Sequence, residues 1–266
     1  MSTYVFDPSW QKEHDRLSAL GSVFDAASRR HLEERGVTRG WQCLEVGCGA
    51  GSLALWLAEQ VGSTGLVLAT DVDTRFIDGS SYENLEIREH NILTDPLPKD
   101  AFDLAHARAV IEHIADHQGA LGRIISAVRP GGWVVVEDLD FGGAMTAALP
   151  RYFWPAENIV PAERVYRALD ALFSSVGADA SYGPRLPGAL KEAGLENVGA
   201  EAHTHVVAGG SENWARGSIE QLGKHLEATG PLTAEEVELS LAMMADEASL
   251  YPVPFMVTAW GQRPIG

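Results

Sequence analysis

An open α/β sheet is the fold class this sequence predicts: seven strands, mostly parallel with an antiparallel last strand, helices on both faces, and helical insertions. Three observations carry it. Apolar strand-length runs alternate with helix-period segments from residue 41 onward, which implies a parallel sheet with right-handed crossovers. A glycine cluster, Gly47, Gly49 and Gly51, follows the first run directly, where a chain must turn tightly and let backbone approach a ligand. Acids close the second and fifth runs, at Asp71 and at Glu137-Asp138, and the carboxyl ends of such strands are where open sheets bind ligands.

Residues 8–35 carry Trp10, Leu17, Leu20, Val23 and Phe24 at helical spacing, with Pro8 suited to a first turn. The runs at 41–46, 66–70, 85–88, 101–107 and 133–136 are the first five strands. Between them, 52–61 puts Leu53, Leu57 and Val61 on one helical face. The stretch 116–128 does the same with Leu121, Ile124, Ile125 and Val128, until Arg129-Pro130-Gly131-Gly132 stops the helix. A short helix at 184–193 and strands at 198–207 and 255–260 complete the sheet, the last fitting an antiparallel edge strand.

The chain reads as a single domain, 1–266, with three stretches outside the alternation. Residues 1–40 form an N-terminal helical lid segment, and 139–182 and 209–251 are helical insertions. The two insertions follow the fifth and sixth strands and so emerge at the ligand edge, as a substrate cap. In the first, Val165, Leu169, Leu172 and Phe173 fit the buried face of one helix. Tyr152-Phe153-Trp154, between prolines, is harder to explain as core.

Composition narrows the function. The 266 residues are 45% hydrophobic, with a mean hydropathy of -0.06, as expected of a globular chain. No apolar run is long enough to span a bilayer, so no membrane insertion is expected. The N-terminus has neither basic nor apolar signal-peptide regions, and a cytoplasmic location is the expectation. A net charge of -17 without a Lys/Arg cluster argues against a nucleic-acid partner. Cys43 and Cys48 match neither a CxxC redox pair nor a disulfide framework. A small-molecule substrate is the expected partner, and a homodimer stays open.

The sharpest chemical signal is Leu44-Glu45-Val46-Gly47-Cys48-Gly49-Ala50-Gly51-Ser52. A nicotinamide GxGxxG fingerprint would put its third glycine where Ser52 stands, to receive a pyrophosphate. Here Glu45 precedes the first glycine instead. A carboxylate repels a pyrophosphate and attracts an ammonium group, so the turn suits a ligand with a cationic end and no phosphate. Asp71 is placed to accept hydrogen bonds from ribose hydroxyls. It could also cap the next turn, although Asp73 is the better cap.

These residues resemble class I S-adenosylmethionine-dependent methyltransferases. Glu45 to Gly51 looks like their motif I, Asp71 like the acid closing their second strand, and Arg129-Pro130-Gly131-Gly132 like their turn before strand five. Ala101-Phe102-Asp103 resembles the start of their fourth strand, and Val110-Ile111-Glu112-His113 the element after it. The pattern is most similar to small-molecule enzymes of the ubiquinone/menaquinone-biosynthesis type and their secondary-metabolite relatives. The resemblance implies a Rossmann-like sheet, S-adenosyl-L-methionine as cofactor and S-adenosyl-L-homocysteine as product. It implies that Gly47, Gly49 and Gly51 line the methionine part and that Glu45 faces its amino group. Asp71 would hold the ribose, Val72 and Ile92 would lie against adenine, and Asn91, where the family often has an acid, would meet the adenine edge. His106 and Ala107 would end strand four near the sulfonium.

Methyl transfer then asks mainly for alignment of a nucleophilic O, N or C atom, with a general base where the acceptor is a neutral hydroxyl or carbon. The candidates are His113, His106 and Asp138, or Asp140; a structural role for His113 is the alternative. Arg108 reads as the partner of an acid. His203 and His205 read as surface or structural, and His14 and His31 as a polar helix face. Tyr4, Trp10, Tyr152, Trp154 and also Trp214 are the candidate substrate contacts, because aromatics supply large contact area. No metal site is expected. The competing readings are a cofactor-bound cyclase, a nicotinamide oxidoreductase and a noncatalytic cofactor-binding module.

Overall fold

The computed structural model describes residues 6–7, 9–142, 147–210, 214–228 and 232–265. Tyr4 and Pro8 lie outside them. Helix α1 (Glu13–Glu34) precedes the alternation of β1 (Gln42–Val46), α2 (Ser52–Val61), β2 (Leu66–Asp71), β3 (Leu85–Glu89), β4 (Phe102–Arg108), α3 (His117–Ala127) and β5 (Val128–Asp140). Then come α4 (Ile159–Ser175), α5 (Leu186–Glu192), β6 (Glu196–His203), β7 (Val206–Ala208), α6 (Trp214–Ala228), α7 (Ala234–Ala245), β8 (Leu250–Pro252) and β9 (Phe255–Gln262).

Seven strands form one sheet in the order β3-β2-β1-β4-β5-β9-β6. The first five are parallel, and β9 runs antiparallel to both β5 and β6. The last strand is therefore antiparallel, as expected, but it is not at the edge. It slots between β5 and β6, where Val257, Ala259 and Thr258 are buried. The run expected at 198–207 divides: β6 ends at His203, and β7 pairs with β8 in a separate two-stranded sheet.

Strand alternation sorts the side chains into two buried layers. Leu44, Leu68, Ala105 and Val134 face α3 and α5 through Leu121, Ile124, Leu186 and Leu190. Cys43, Val67, Leu104 and Val135 face the other way, against Leu32 of α1 and Leu57 of α2. Because both faces are covered, the strands read as apolar runs without polar alternation. Asp116 caps α3, its carboxylate accepting from the Gly119 N–H at 2.9 Å. Thr233 and Glu236 form a reciprocal capping box on α7. Helix α1 starts later than its apolar spacing suggests, because residues 9–12 form turns, with Trp10 N–H bonded to Asp7 O and Glu13 N–H to Trp10 O.

Helices α4, α6 and α7 pack on one another and share a cluster with Phe141, Phe153 and Tyr251. Val165, Leu169, Leu172 and Phe173 are the buried face of α4, as their spacing predicts. This helical layer faces the carboxyl ends of β1, β2, β4 and β5 across a cavity. The order reverses between β1 and β4, the switch point at which such sheets bind ligands.

Candidate active site

The turn after β1 is built by backbone shape. Gly47 has φ +71° and would carry a Cβ 2.2 Å from Val110 Cγ2. Gly51, at φ +86°, starts α2 and would meet Ile77 at 2.5 Å. Any side chain at either position has to displace a neighbour. The turn is fastened to the end of β2: Gly47 and Cys48 N–H both donate to Thr70 O, and Gly49 N–H donates to Asp71 Oδ2 at 2.8 Å. Asp71 Oδ1 accepts from Asp73 N–H at 3.1 Å. Burial raises the Asp71 carboxyl above its ordinary range, and those amides oppose the rise. A carboxylate offers about four acceptor positions, so Asp71 keeps capacity for a ligand's hydroxyls.

Behind the turn lies a buried charged row. His106 Nδ1 donates to Glu45 Oε2 at 2.8 Å, and its Nε2 faces Glu137 Oε2 at 3.4 Å. Burial opposes charge on the imidazole, but the two carboxylates outweigh it and hold its pKa up to about 9. Burial likewise opposes the Glu137 charge, yet His106, Arg108 and Ser28 bring it down to about 2. Arg108 completes the row by donating to Asp25 at 2.9 Å.

The segment after β4 crosses the cavity. Ala109 takes φ +53°, and Asp138 Oδ1 accepts from Val110 N–H at 3.2 Å. Glu112 Oε2 accepts from Leu139 N–H at 2.7 Å. Burial pushes both carboxyls up, Asp138 to about 8; the charge of Asp138 adds to the rise at Glu112, and that of Glu137 to the rise at Asp138. His113 stacks on Phe173 at 5.7 Å. Burial and the nearby Arg16 hold its imidazole neutral, down to about 3.

One cavity of about 810 Å³ joins these parts. At one end it is lined by Glu45, Gly47, Gly49, Asp71 and Asn91, and at the other by Phe141, Phe153, Leu169, Phe173, Trp214 and Tyr251. That volume is in the range of sites for drug-sized ligands, about 300–1,000 Å³.

A family model described as a methyltransferase domain matches residues 7–178, more than half of the chain. The chain belongs to the methyltransferase-domain family. Among curated relatives it is similar to methyltransferase str2 of Strobilurus tenacellus, 31% identical over 230 residues, covering 77% of this chain and 75% of that one. It is also similar to demethylmenaquinone methyltransferase of Staphylococcus aureus (strain MRSA252), 28% identical over 131 residues. That match covers 47% of this chain and about half, 54%, of the relative. A solved S-adenosylmethionine-dependent methyltransferase from Aquifex aeolicus shares the fold, with a TM-score of 0.52 at 19% identity, covering 96% of this chain and 98% of that one. The protein is an S-adenosylmethionine-dependent methyltransferase.

The methyltransferase cavity gathers most of the sequence-predicted cofactor residues: Glu45, Gly47, Gly49, Asp71, Val72, Asn91 and Ile92. Gly51 is not among its lining residues, since its role is to start α2 against Ile77. Ala107 does not line it either. Strand β4 runs through Arg108, so Arg108, Ala109 and Val110 reach the cavity instead. His113 lines it. His106 does not; its ring is wholly buried between Glu45 and Glu137, which removes it from contact with a reacting atom. Asp138 is also wholly buried and holds the 110–112 backbone rather than facing the cavity.

The aromatic expectations fare differently. Tyr152 and Trp154 are exposed, 58% and 61%, and point away from the cavity, while Phe153 between them lines it. Trp10 is half-buried outside the lining, and Tyr4 lies outside the described residues. Trp214 lines the apolar end. Arg108 pairs with Asp25, as its reading as an acid's partner implies. His31 is fully buried and not on a polar face. Among the described residues, it comes together with Glu201 and His203 as potential metal ligands within 4.8 Å of one another. That group lies between α1 and β6, outside the cavity, and the Arg30 guanidinium donates to Glu201 there at 2.6 Å.

Sequence reasoning missed Glu112, the buried Glu13–Arg16 pair, Phe6, Phe153 and Tyr251 as cavity residues. Glu112 stood inside a quoted motif, next to His113. The others belong to segments with no fixed spacing to the glycine turn, and only the packing of α1, α4 and α6 brings them there.

Proposed function

We propose that the methyltransferase moves the methyl group of S-adenosylmethionine to an O, N or C nucleophile of a small, largely apolar or aromatic metabolite. The observation that carries this is one continuous cavity with a polar, glycine-walled end and an apolar, aromatic end. When bound, the cofactor supplies a methyl group on a sulfonium centre that is already electrophilic.

The residues present fit that group. Gly47 and Gly49 present bare backbone to the polar end, and the Glu45 carboxylate, tied to His106 by one oxygen, keeps acceptor capacity for an ammonium group. Asp71 receives ribose hydroxyls on the acceptor positions its two amides leave. The Asn91 Oδ1 already accepts from Leu93 N–H at 2.9 Å, which leaves the amide NH2 to donate to the adenine edge. Val72 and Ile92 flank the ring.

The segment 110–113 touches both ends, Val110 against Gly47 and His113 against Phe173. Its Glu112 carboxyl, raised well above its ordinary range by burial and by Asp138, lines the cavity as the candidate group for exchanging a proton with the acceptor. His113, neutral at that pH, serves as a hydrogen-bond partner for the acceptor. Helices α4, α6 and α7 act as a cap that excludes water. A small-molecule rather than nucleic-acid acceptor belongs to the same proposal, supported by the net charge of -17; a cytoplasmic location and a homodimer remain its expectations. Among the described residues no helix is long and apolar enough to cross a membrane.

Calorimetric titration with S-adenosylhomocysteine, then a panel of phenolic, amine and β-keto acceptors read by mass spectrometry, tests both halves. Absence of binding heat sinks the cofactor half. Binding combined with methylation of highly charged acceptors alone sinks the acceptor half.

A further inference from the structure

A cluster between α1 and β6 lies outside the cavity and has no part in methyl transfer as read above. Glu201 and His203 stand two apart on β6 and so share one face of the strand. His31, fully buried near the end of α1, meets them there, with its ring 6.5 Å from that of His203 and its Nε2 3.9 Å from Glu201 Oε2. One ligand atom from each of the three lies within 4.8 Å of the other two. Both ring nitrogens of His203 are buried without a hydrogen-bond partner. Buried polar atoms are ordinarily paired, and such a ring calls for an account.

The neighbours of His31 fix its tautomer. The Arg30 guanidinium stands 3.2 Å from His31 Nε2 and can only donate. His31 Nε2 therefore presents its lone pair, and the ring proton sits on Nδ1, where Glu34 Oε2 lies 3.8 Å away. A carboxylate behind the protonated nitrogen is the usual support of a metal-binding histidine. The same guanidinium donates to Glu201 at 2.6 Å. Arg30 thus marks a point on which an imidazole lone pair and a carboxylate converge, and which already holds a positive group. That group is free to leave: the side chain is 44% exposed, and Glu34 Oε1 lies 3.3 Å from its other amino group.

We propose that His31, Glu201 and His203 bind a divalent transition-metal ion, zinc above all, in the place the Arg30 guanidinium holds. Two atoms each about 2.0–2.2 Å from a zinc ion are at most about 4.4 Å apart. The His31–Glu201 separation already meets that bound, and His203, within 4.8 Å of both, reaches it with a shift of about half an ångström or less. Two imidazoles and a carboxylate suit zinc over magnesium or calcium, which take oxygen ligands. Nitrogens enclosed away from the cavity suit an ion and not a substrate, and the half-exposed Glu201 gives the entry path. None of the three ligands lines the cavity, whereas Leu17 and Leu20 of α1 do. The ion therefore acts as a clamp that holds this wall of the cavity against the sheet.

The test uses the tag-free full chain, stripped with EDTA and freed of the chelator. It is titrated with zinc chloride by calorimetry, without cofactor, as wild type, Glu201→Gln, His203→Ala and Arg30→Ala. Wild type is expected to take up one equivalent at about 1 μM or tighter, looser than a closed four-ligand site. Glu201→Gln and His203→Ala should each weaken uptake about 100-fold or more, because even a ligand's supporting partner contributes about 10–100-fold. Arg30→Ala, which removes the competing charge, should bind at least as tightly as wild type. No uptake by wild type overturns the proposal, as does uptake that both ligand variants retain or that magnesium chloride matches. Weaker binding by Arg30→Ala overturns the shared position. If His203→Ala fails to fold, Glu201→Gln, on a half-exposed side chain, still decides.

Discussion

Replacing His106 by leucine tests the buried charged row behind the glycine turn. The ring bonds Glu45 at 2.8 Å and faces Glu137 at 3.4 Å, and all three residues are buried. Removing one member of a buried ion pair leaves the other charge uncompensated, which costs about 3–5 kcal/mol. The pH dependence identifies the source. The folded-state pKa of His106 is raised from 6.5 to about 9. A raised pKa means that the folded state holds its proton more tightly than the unfolded chain does. The stabilisation is thus full below pH 6.5 and is lost as pH rises through 9. A shift of that size corresponds to about 3 kcal/mol. Asp138 and Glu112, also raised, lose stability over part of the same range, so the informative quantity is the wild-type minus His106→Leu difference. Urea unfolding at pH 6 and pH 10 measures it. The difference should be several kcal/mol at pH 6 and smaller by about 3 kcal/mol at pH 10. A difference independent of pH would refute a charged His106, and a difference below about 1 kcal/mol would refute the row as a stabilising unit.

Three further outcomes are expected. Asp71→Ala should weaken S-adenosylhomocysteine binding by about 10-fold or more, since a charged hydrogen bond contributes about 1.5–3 kcal/mol; unchanged affinity by calorimetry would remove Asp71 from ribose binding. Gly51→Ala, forced to φ +86° and against Ile77, should lower stability by at least about 1–2 kcal/mol in denaturant unfolding, with an undisturbed midpoint as the contrary result. Phe153→Ala should destabilise by about 3–5 kcal/mol as a buried aromatic truncation, whereas Trp154→Ala, on the exposed neighbour, should stay within about 0.5 kcal/mol. Equal effects in thermal unfolding would contradict the opposed orientations of these neighbours.

The sheet was legible because its information is local. The strand runs are continuous apolar stretches, and residues 45–51 sit in one turn whose shape depends on their own backbone angles. The places of Asp71 and Asn91 on the cavity wall were legible for the same reason: Asp71 ends β2 and Asn91 follows β3. Ala107 and His106 stand off the cavity lining because alternation along β4 sends His106 to the α1 face and the strand's extension through Arg108 moves the cavity edge onward, and Gly51 stands off it because it starts α2 against Ile77. The cap was poorly legible. Nothing in the Tyr152-Phe153-Trp154 run says which ring turns inward; Phe153 does so by stacking on Tyr251, about a hundred residues away in the chain. The insertion of β9 between β5 and β6 likewise depends on pairing across long separations, which local pattern does not encode.

The two ends of the cavity are also made from different kinds of chain. The polar pole is drawn from strand termini locked into a seven-stranded ladder, whereas most of the apolar pole comes from α4, α6, α7 and the β7–β8 ribbon, which hold chiefly to one another. Selection on what is methylated can therefore act by exchanging or repacking these modules while the nucleoside-holding framework keeps its shape. Transplanting that helical unit between related chains should carry preference for the acceptor with it and leave cofactor handling behind.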